Sequence, residues 1–285
     1  MSVLMLLLPA LGWGVLPLAI QIIGGNTKNQ IFGTAMGTMV ASMGVLVALH
    51  GVHISTADFI KAALAGAFWI CGQIGQYVAY ENIGVSKTMP LSTGLQLIGT
   101  SLIGVLMFGE WSTTSAKTLG FIGIAMLVIG VFLTSYTQKG DKQGKNVKTT
   151  YTVLILTTVG YLIYNTIPRG MESSGLSIFF PESVGMLIGV LIYLFATRDL
   201  HAVVEKKSWE NVISGLIFSV AAISYIFSVK ENGVNTAFVV GQVSVVISTL
   251  GSLIFLHERK TRRELIFTIL GLIVIVGGAV VTTIN

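Results

Sequence analysis

Apolar and charged positions in this chain fall in blocks. Runs without Asp, Glu, Lys or Arg cover residues 1–27, 29–57, 62–80, 88–109, 118–138, 149–168, 183–197, 211–229, 232–257 and 265–285. A hydrocarbon core about 30 Å thick takes roughly 20 helical residues, with about 17 to 25 workable. Nine of the ten runs meet that length, and the seventh does so when extended back to Ile178, which draws in Pro181 and Glu182. Backbone amides stay paired in lipid only in helices or closed barrels, and barrel strands are about half as long and alternate in polarity. The pattern therefore predicts an all-α membrane protein with ten transmembrane helices. Val3 to Ile23 reads as the first of them, because it lacks the basic n-region and small-residue cleavage motif of a signal peptide.

Composition strengthens this reading. Of 285 residues only 29 are charged and 53% are hydrophobic, whereas a soluble surface takes about 25% charged residues. The net charge of +5 comes from residues scattered singly or in short loop clusters, without the interleaved aromatics of a nucleic-acid groove. The lipid bilayer is the partner they fit, and nucleic acid is not. Thirteen basic residues fall after odd-numbered spans and four (Lys61, Lys117, Arg169, Lys230) after even-numbered ones. The positive-inside rule then places the odd loops in the cytoplasm and both termini outside a cell membrane. Cys71, the single cysteine, cannot form an intrachain disulfide and is expected to be a small buried core residue.

A shift of 148 residues pairs Gly12 with Gly160, Trp13 with Tyr161, Gly37 with Gly185 and Glu110 with Glu258; a small gap adds Glu81-Asn82 with Glu231-Asn232 and Gly84 with Gly233. The chain thus divides into a five-helix repeat (1–136), a basic cytoplasmic linker (137–150) and a second repeat (151–285). Five is odd, so the second copy enters from the opposite side of the membrane. Inverted repeats of this kind characterise secondary transporters, with the substrate held at the midplane between the halves.

The polar groups inside the spans suit such a site. Span three carries Trp69, Gln73, Gln76 and Tyr80 on one face, two amides between two aromatic rings. An unpartnered amide in an apolar medium costs about 2 to 7 kcal/mol, so this face points into the bundle. Trp13 of span one, Gln96 of span four beside Ser92, Tyr161, Tyr164 and Asn165 of span six, and Gln242 of span nine are further candidates. Amides donate to and accept from hydroxyls, and an aromatic face covers the apolar side of a sugar ring. Bonding of these groups to one another between helices is the alternative.

Acids are scarcer. Glu182 is the one charge drawn into a span, either as a proton-path carboxylate or as an acid complementing a helix start after Pro181. Glu81, Glu110, Glu231 and Glu258 fall at span ends. No phosphate loop, metal-ligand cluster or intramembrane Ser-His pairing is present, so neither an enzyme, a metal site nor a cofactor is expected. A receptor or scaffold without transport, and more remotely an intramembrane hydrolase, remain as competitors.

Residues 84–97 (GVSKTMPLSTGLQL) with Gly109-Glu110-Trp111 resemble the glucose uptake proteins of Gram-positive bacteria. So do Leu8 to Gly14, Gly72-Gln73 with Gln76, Gly160 to Tyr164, Val245 to Gly251 and Lys260-Thr261, so that the resemblance spans nearly the whole chain. The chain is thereby similar to the glucose/ribose porters of the drug/metabolite transporter superfamily. The resemblance implies that superfamily's fold of ten helices in two inverted five-helix repeats. It further implies import of a monosaccharide, glucose ahead of ribose, with a proton as coupling ion; Glu182 and Glu81 are then the candidate titrating carboxylates, and facilitated or sodium-coupled transport the alternatives. Glu182 stands where the family has glutamine, and Asn165 where it is often apolar.

Overall fold

The computed structural model describes residues 2–138 and 146–284. Lys139, Asp141, Lys142 and Lys145 of the basic linker lie outside the described residues. All regular structure among the described residues is helical: α1 (Ser2–Ile23), α2 (Thr27–Ala48), α3 (Thr56–Ile83), α4 (Val85–Phe108), α5 (Thr114–Thr134), α6 (Val147–Thr166), α7 (Leu176–Ala196), α8 (Lys206–Glu210), α9 (Val212–Asn232), α10 (Val234–Gly241), α11 (Val243–Phe255) and α12 (Arg262–Thr282), with short 3₁₀ turns at Ile167–Gly170 and Leu200–Val204. Ten spans long and apolar enough to cross a membrane result, the eighth built from α8 and α9 and the ninth from α10 and α11. Their outward faces carry Leu106, Phe132, Phe195 and Ile254, each more than 60% exposed. Such a surface belongs in hydrocarbon, and the chain is a multi-pass membrane protein.

Three local expectations change. Pro181 lies in the second turn of α7, so the helix begins a turn before it, and Glu182 sits inside the span instead of complementing its start. Cys71 is exposed, because the face of α3 that carries it turns outwards while Trp69, Gln73 and Gln76 turn inwards. The ninth span is interrupted at Gln242, where the backbone leaves one helix and starts another.

Helix packing rests on close approaches at small residues, as expected where no hydrophobic force distinguishes helix from lipid. Glycines that pair at the 148-residue shift sit at such approaches. Gly12 of α1 lies against Ala221 of α9, as Gly160 of α6 lies against the backbone of Phe68 on α3; Gly37 of α2 lies against Val212 and Gly215 of α9, as Gly185 of α7 lies against Ala63 of α3. Thus α3 is held between α6 and α7, and α9 between α1 and α2. A third contact joins α5 to α12 through facing Gly130 and Gly271.

Polar ties hold the loops at both ends. One end, carrying loops 24–26, 197–205 and 256–261, is joined by Lys28–Asp199 at 2.7 Å, by Asn29 Nδ2 donating to Ser208 Oγ at 3.0 Å and by Asn211 Nδ2 donating to the Gly24 carbonyl at 2.9 Å. The other is joined by Arg169 to Glu110 and by the Ser173 amide donating to Asp58 Oδ2 at 3.0 Å. The first is called the basic face below.

Candidate functional site

The inward stripe of α3 supplies a buried polar cluster within the spans. Gln73 and Gln76 are buried, and neither is left without a partner. The Tyr161 hydroxyl, reaching in from α6, donates towards Gln73 Oε1 at 2.6 Å and Gln76 Oε1 at 3.0 Å. Gln73 Nε2 donates to Gln76 Oε1 at 3.3 Å. The cluster extends to α4, where Ser92 Oγ accepts from Gln76 Nε2 at 2.9 Å and from Gln96 Nε2 at 3.2 Å. Two amides therefore share one serine oxygen, which leaves the hydroxyl hydrogen available to a third group.

Glycine makes this reach possible. A methyl group at Gly72 would stand 2.6 Å from the Tyr161 ring, so the ring lies directly on the α3 backbone and its hydroxyl arrives beside the amides one turn on. Aromatic walls surround them. Trp69 packs edge-on against Tyr161, with centroids 6.4 Å apart, and tilted against Phe218 of α9 at 4.8 Å. Tyr77 and Tyr80 stack at 5.8 Å on the far side of the stripe. The Tyr77 hydroxyl shares a 2.9 Å hydrogen bond with Thr34 Oγ1 of α2, and the Tyr80 hydroxyl donates to Met89 Sδ at 2.9 Å.

The structure thus gathers Trp69, Gln73, Gln76, Gln96 and Tyr161 of the sequence candidates. Trp13, half-buried, packs against the same core and against Tyr225 of α9 at 5.2 Å. Phe218 and Tyr225 are seven residues apart, about two turns, so one face of α9 backs both tryptophans. Tyr164 lies beside Glu182, which is buried on α7. Gln242 turns to its own helix, Nε2 donating to the Phe238 carbonyl at 3.2 Å where the span is interrupted. Asn165 is exposed near the end of α6, and no hydrogen bond ties it to the cluster. Glu81 is exposed at the basic face, where Thr27 Oγ1 donates to it at 3.5 Å.

Phe218, Tyr225, Tyr77 and Thr34 escape the sequence reading because none of them belongs to the Trp69, Gln73, Gln76, Tyr80 stripe or to the pairs read between the halves. A search for aromatics spaced by seven on span eight would have found Phe218 and Tyr225.

The comparisons follow the same line. The model of a family described as sugar transport protein matches residues 4–285. A protein of Lactobacillus johnsonii, provisionally named a sugar uptake protein, is 50% identical over 99% of this chain and 99% of its own. The glucose uptake protein GlcU of Bacillus subtilis (strain 168) is 38% identical over 98% of this chain and 97% of its own. A protein of Latilactobacillus sakei, provisionally named ribose uptake protein RbsU, is 36% identical over the same shares, 98% and 97%. With a family match along nearly its entire length and relatives of the same extent, this chain belongs to the sugar transport protein family, whose members are membrane transporters and not enzymes.

Proposed function

We propose that the protein imports a monosaccharide across the cell membrane, glucose ahead of ribose, by proton symport with alternating access. The observation that carries the sugar reading is the Gln73–Tyr161–Gln76–Ser92–Gln96 cluster: neutral donors and acceptors within the spans, walled by Trp69 and Tyr80, all of them buried except the half-buried Gln96. Neutral amides and a phenol match hydroxyls without imposing a charge. Binding would exchange their mutual hydrogen bonds for bonds to the sugar. The paired glycine contacts of the two halves support an inverted repeat, and the interruption at Gln242 matches the discontinuous helices found at midplane sites. Purified protein in liposomes should exchange labelled glucose. A folded protein that exchanges neither glucose, ribose nor another monosaccharide would overturn this reading in favour of a receptor or scaffold.

Glu182 is our coupling residue, since it is buried beside Tyr164 whereas Glu81 is exposed. A carboxyl in such surroundings trades its proton with water only when a path opens. Glu182→Gln should abolish accumulation driven by an imposed pH gradient and leave exchange at equal concentrations largely intact. Gradient-driven uptake that survives Glu182→Gln but fails in Glu81→Gln transfers the role to Glu81. Uptake indifferent to a protonophore removes proton coupling altogether.

The charge bias supports a cytoplasmic basic face with both termini outside. With Cys71 replaced by serine, a cysteine at the exposed loop residue Arg198 should react with an impermeant maleimide only from the cytoplasmic side. Labelling on intact cells reverses the orientation.

A further inference from the structure

The two halves build the same carboxylate-bearing turn, yet the two carboxylates are differently engaged. After α4, Gly109 takes a left-handed conformation (φ 68°) and the Glu110 amide donates back to the Gly104 carbonyl at 3.0 Å. After α11, His257 takes the same conformation (φ 54°) and the Glu258 amide donates back to the Ser252 carbonyl at 3.3 Å. All three pairs of positions are separated by the repeat shift of 148. A histidine in a left-handed conformation is strained in a way glycine is not, so the turn is kept in the second half despite a cost.

What each turn faces is also built twice. Gly84 between α3 and α4 has φ 82° and ψ 162°, and Gly233 between α9 and α10 has φ 81° and ψ 158°. At the basic face the parts are joined. Glu258 Oε1 accepts from the Val85 amide at 2.6 Å and Oε2 from the Ser86 amide at 3.0 Å, so the carboxylate closes over the first turn of α4. A methyl at Gly84 would stand 2.9 Å from that carboxylate. At the opposite face the parts are separate. Glu110 lies back over Gly104 and pairs with Arg169, while nothing lies within 4 Å of a methyl placed at Gly233. A cavity of about 440 Å³, lined by Met5, Phe227, Lys230 and Glu231, opens beside this hairpin.

We propose that Glu258 and Glu110 are alternating latches. Each caps the first turn of the hairpin helix on its own face, Glu258 closing the α3–α4 hairpin and Glu110 the α9–α10 hairpin, and only one is engaged at a time. The structure is then the state latched at the basic face and open at the other. The inference rests on the inverted-repeat, alternating-access reading above and extends it to the residues that hold each state.

The energetics suit a latch. Two charge-assisted bonds to backbone amides at a helix N-terminus are strong enough to favour one state. Among the described residues Lys260 Nζ, beside this cap, is buried without a hydrogen-bond partner; burial and the nearby Lys87 of α4 push its pKa down to about 8, while Glu258 and Glu264 pull it back up, so its charge favours the engaged carboxylate.

The test uses cysteine accessibility in the full-length protein with Cys71 replaced by serine. One reporter is Ser86→Cys, buried at the latched face, and the other is Phe227→Cys, on the cavity at the open face. Glu258→Gln should raise the maleimide labelling rate of Ser86→Cys on the order of tenfold, as loss of a helix cap implies, and lower that of Phe227→Cys. Glu258→Asp, which keeps the charge but shortens the reach, should shift both in the same directions by less, and serves if the glutamine variant folds poorly. Glu110→Gln should leave Ser86→Cys protected and slow transport, because the second state loses its cap. Unchanged labelling overturns the proposal; so does a rise at both reporters together, which marks local fraying. No sugar is needed for this readout. Opposed shifts in a protein that transports no sugar keep the latches and reject the substrate reading, whereas sugar exchange with unresponsive reporters does the reverse.

Discussion

Replacing Gly185 with leucine is expected to remove the folded protein from the membrane almost completely. Even the first carbon of a side chain there would lie 1.7 Å from the Ala63 carbonyl oxygen and 2.5 Å from its carbon. Both belong to the α3 backbone, which cannot swing aside as a flexible side chain would. Accommodation requires α7 to move away from α3, and that movement also breaks the contact at Gly66, where a methyl would meet the Glu182 carbonyl at 1.9 Å. Overpacking of a well-filled interior commonly costs about 1 to 3 kcal/mol. Backbone against backbone belongs to the rarer class on the order of 4 kcal/mol or more. Gly44 of α2 provides the control, since nothing lies within 4 Å of a methyl there. Gly44→Ala should be neutral or slightly stabilising through helix propensity. Yield and thermal stability in detergent, measured side by side, decide the matter. A Gly185→Leu protein as stable as Gly44→Ala would mean that α3 and α7 do not touch here.

Gln73→Ala should weaken monosaccharide binding at least about tenfold while reducing folded protein much less. A site built to bond hydroxyls loses discrimination steeply when one partner is removed. The structural penalty is smaller because Tyr161 retains Gln76 Oε1 at 3.0 Å as an acceptor. Leaving one buried polar group short of a partner costs about 1 to 3 kcal/mol, which lowers a melting temperature without preventing folding. Tyr161→Phe removes the donor shared by both amides and should impair binding similarly. Affinity and thermal stability are to be measured on the same purified variants. A stability loss with unaltered affinity would make the cluster interhelical glue and take α3 out of the substrate site.

The periodic blocks between charges were enough to place all ten spans, because the bilayer thickness fixes how long an apolar helix must be. The inward direction of Trp69, Gln73 and Gln76 was legible for a similar reason: hydrocarbon does not tolerate amides, and their spacing puts them on one helix face. Matching glycines and glutamates hinted at duplicated packing, and Gly12, Gly37, Gly160 and Gly185 each sit at a close helix contact. Sequence spacing left open which polar groups meet across helices, since that depends on how closely two backbones approach. Tyr161 reaches Gln73 only because Gly72 lets its ring lie on α3, whereas Asn165, one turn further along α6, is left exposed. Cys71 fell on the outer face because it lies two residues, about half a helical turn, from both Trp69 and Gln73. Span-end glutamates looked alike in one dimension, as charges at an interface. Tertiary structure alone separated Glu258, bonded to the amides of α4, from Glu110, paired with Arg169, because a cap is defined by the helix end it meets and not by its neighbours in sequence.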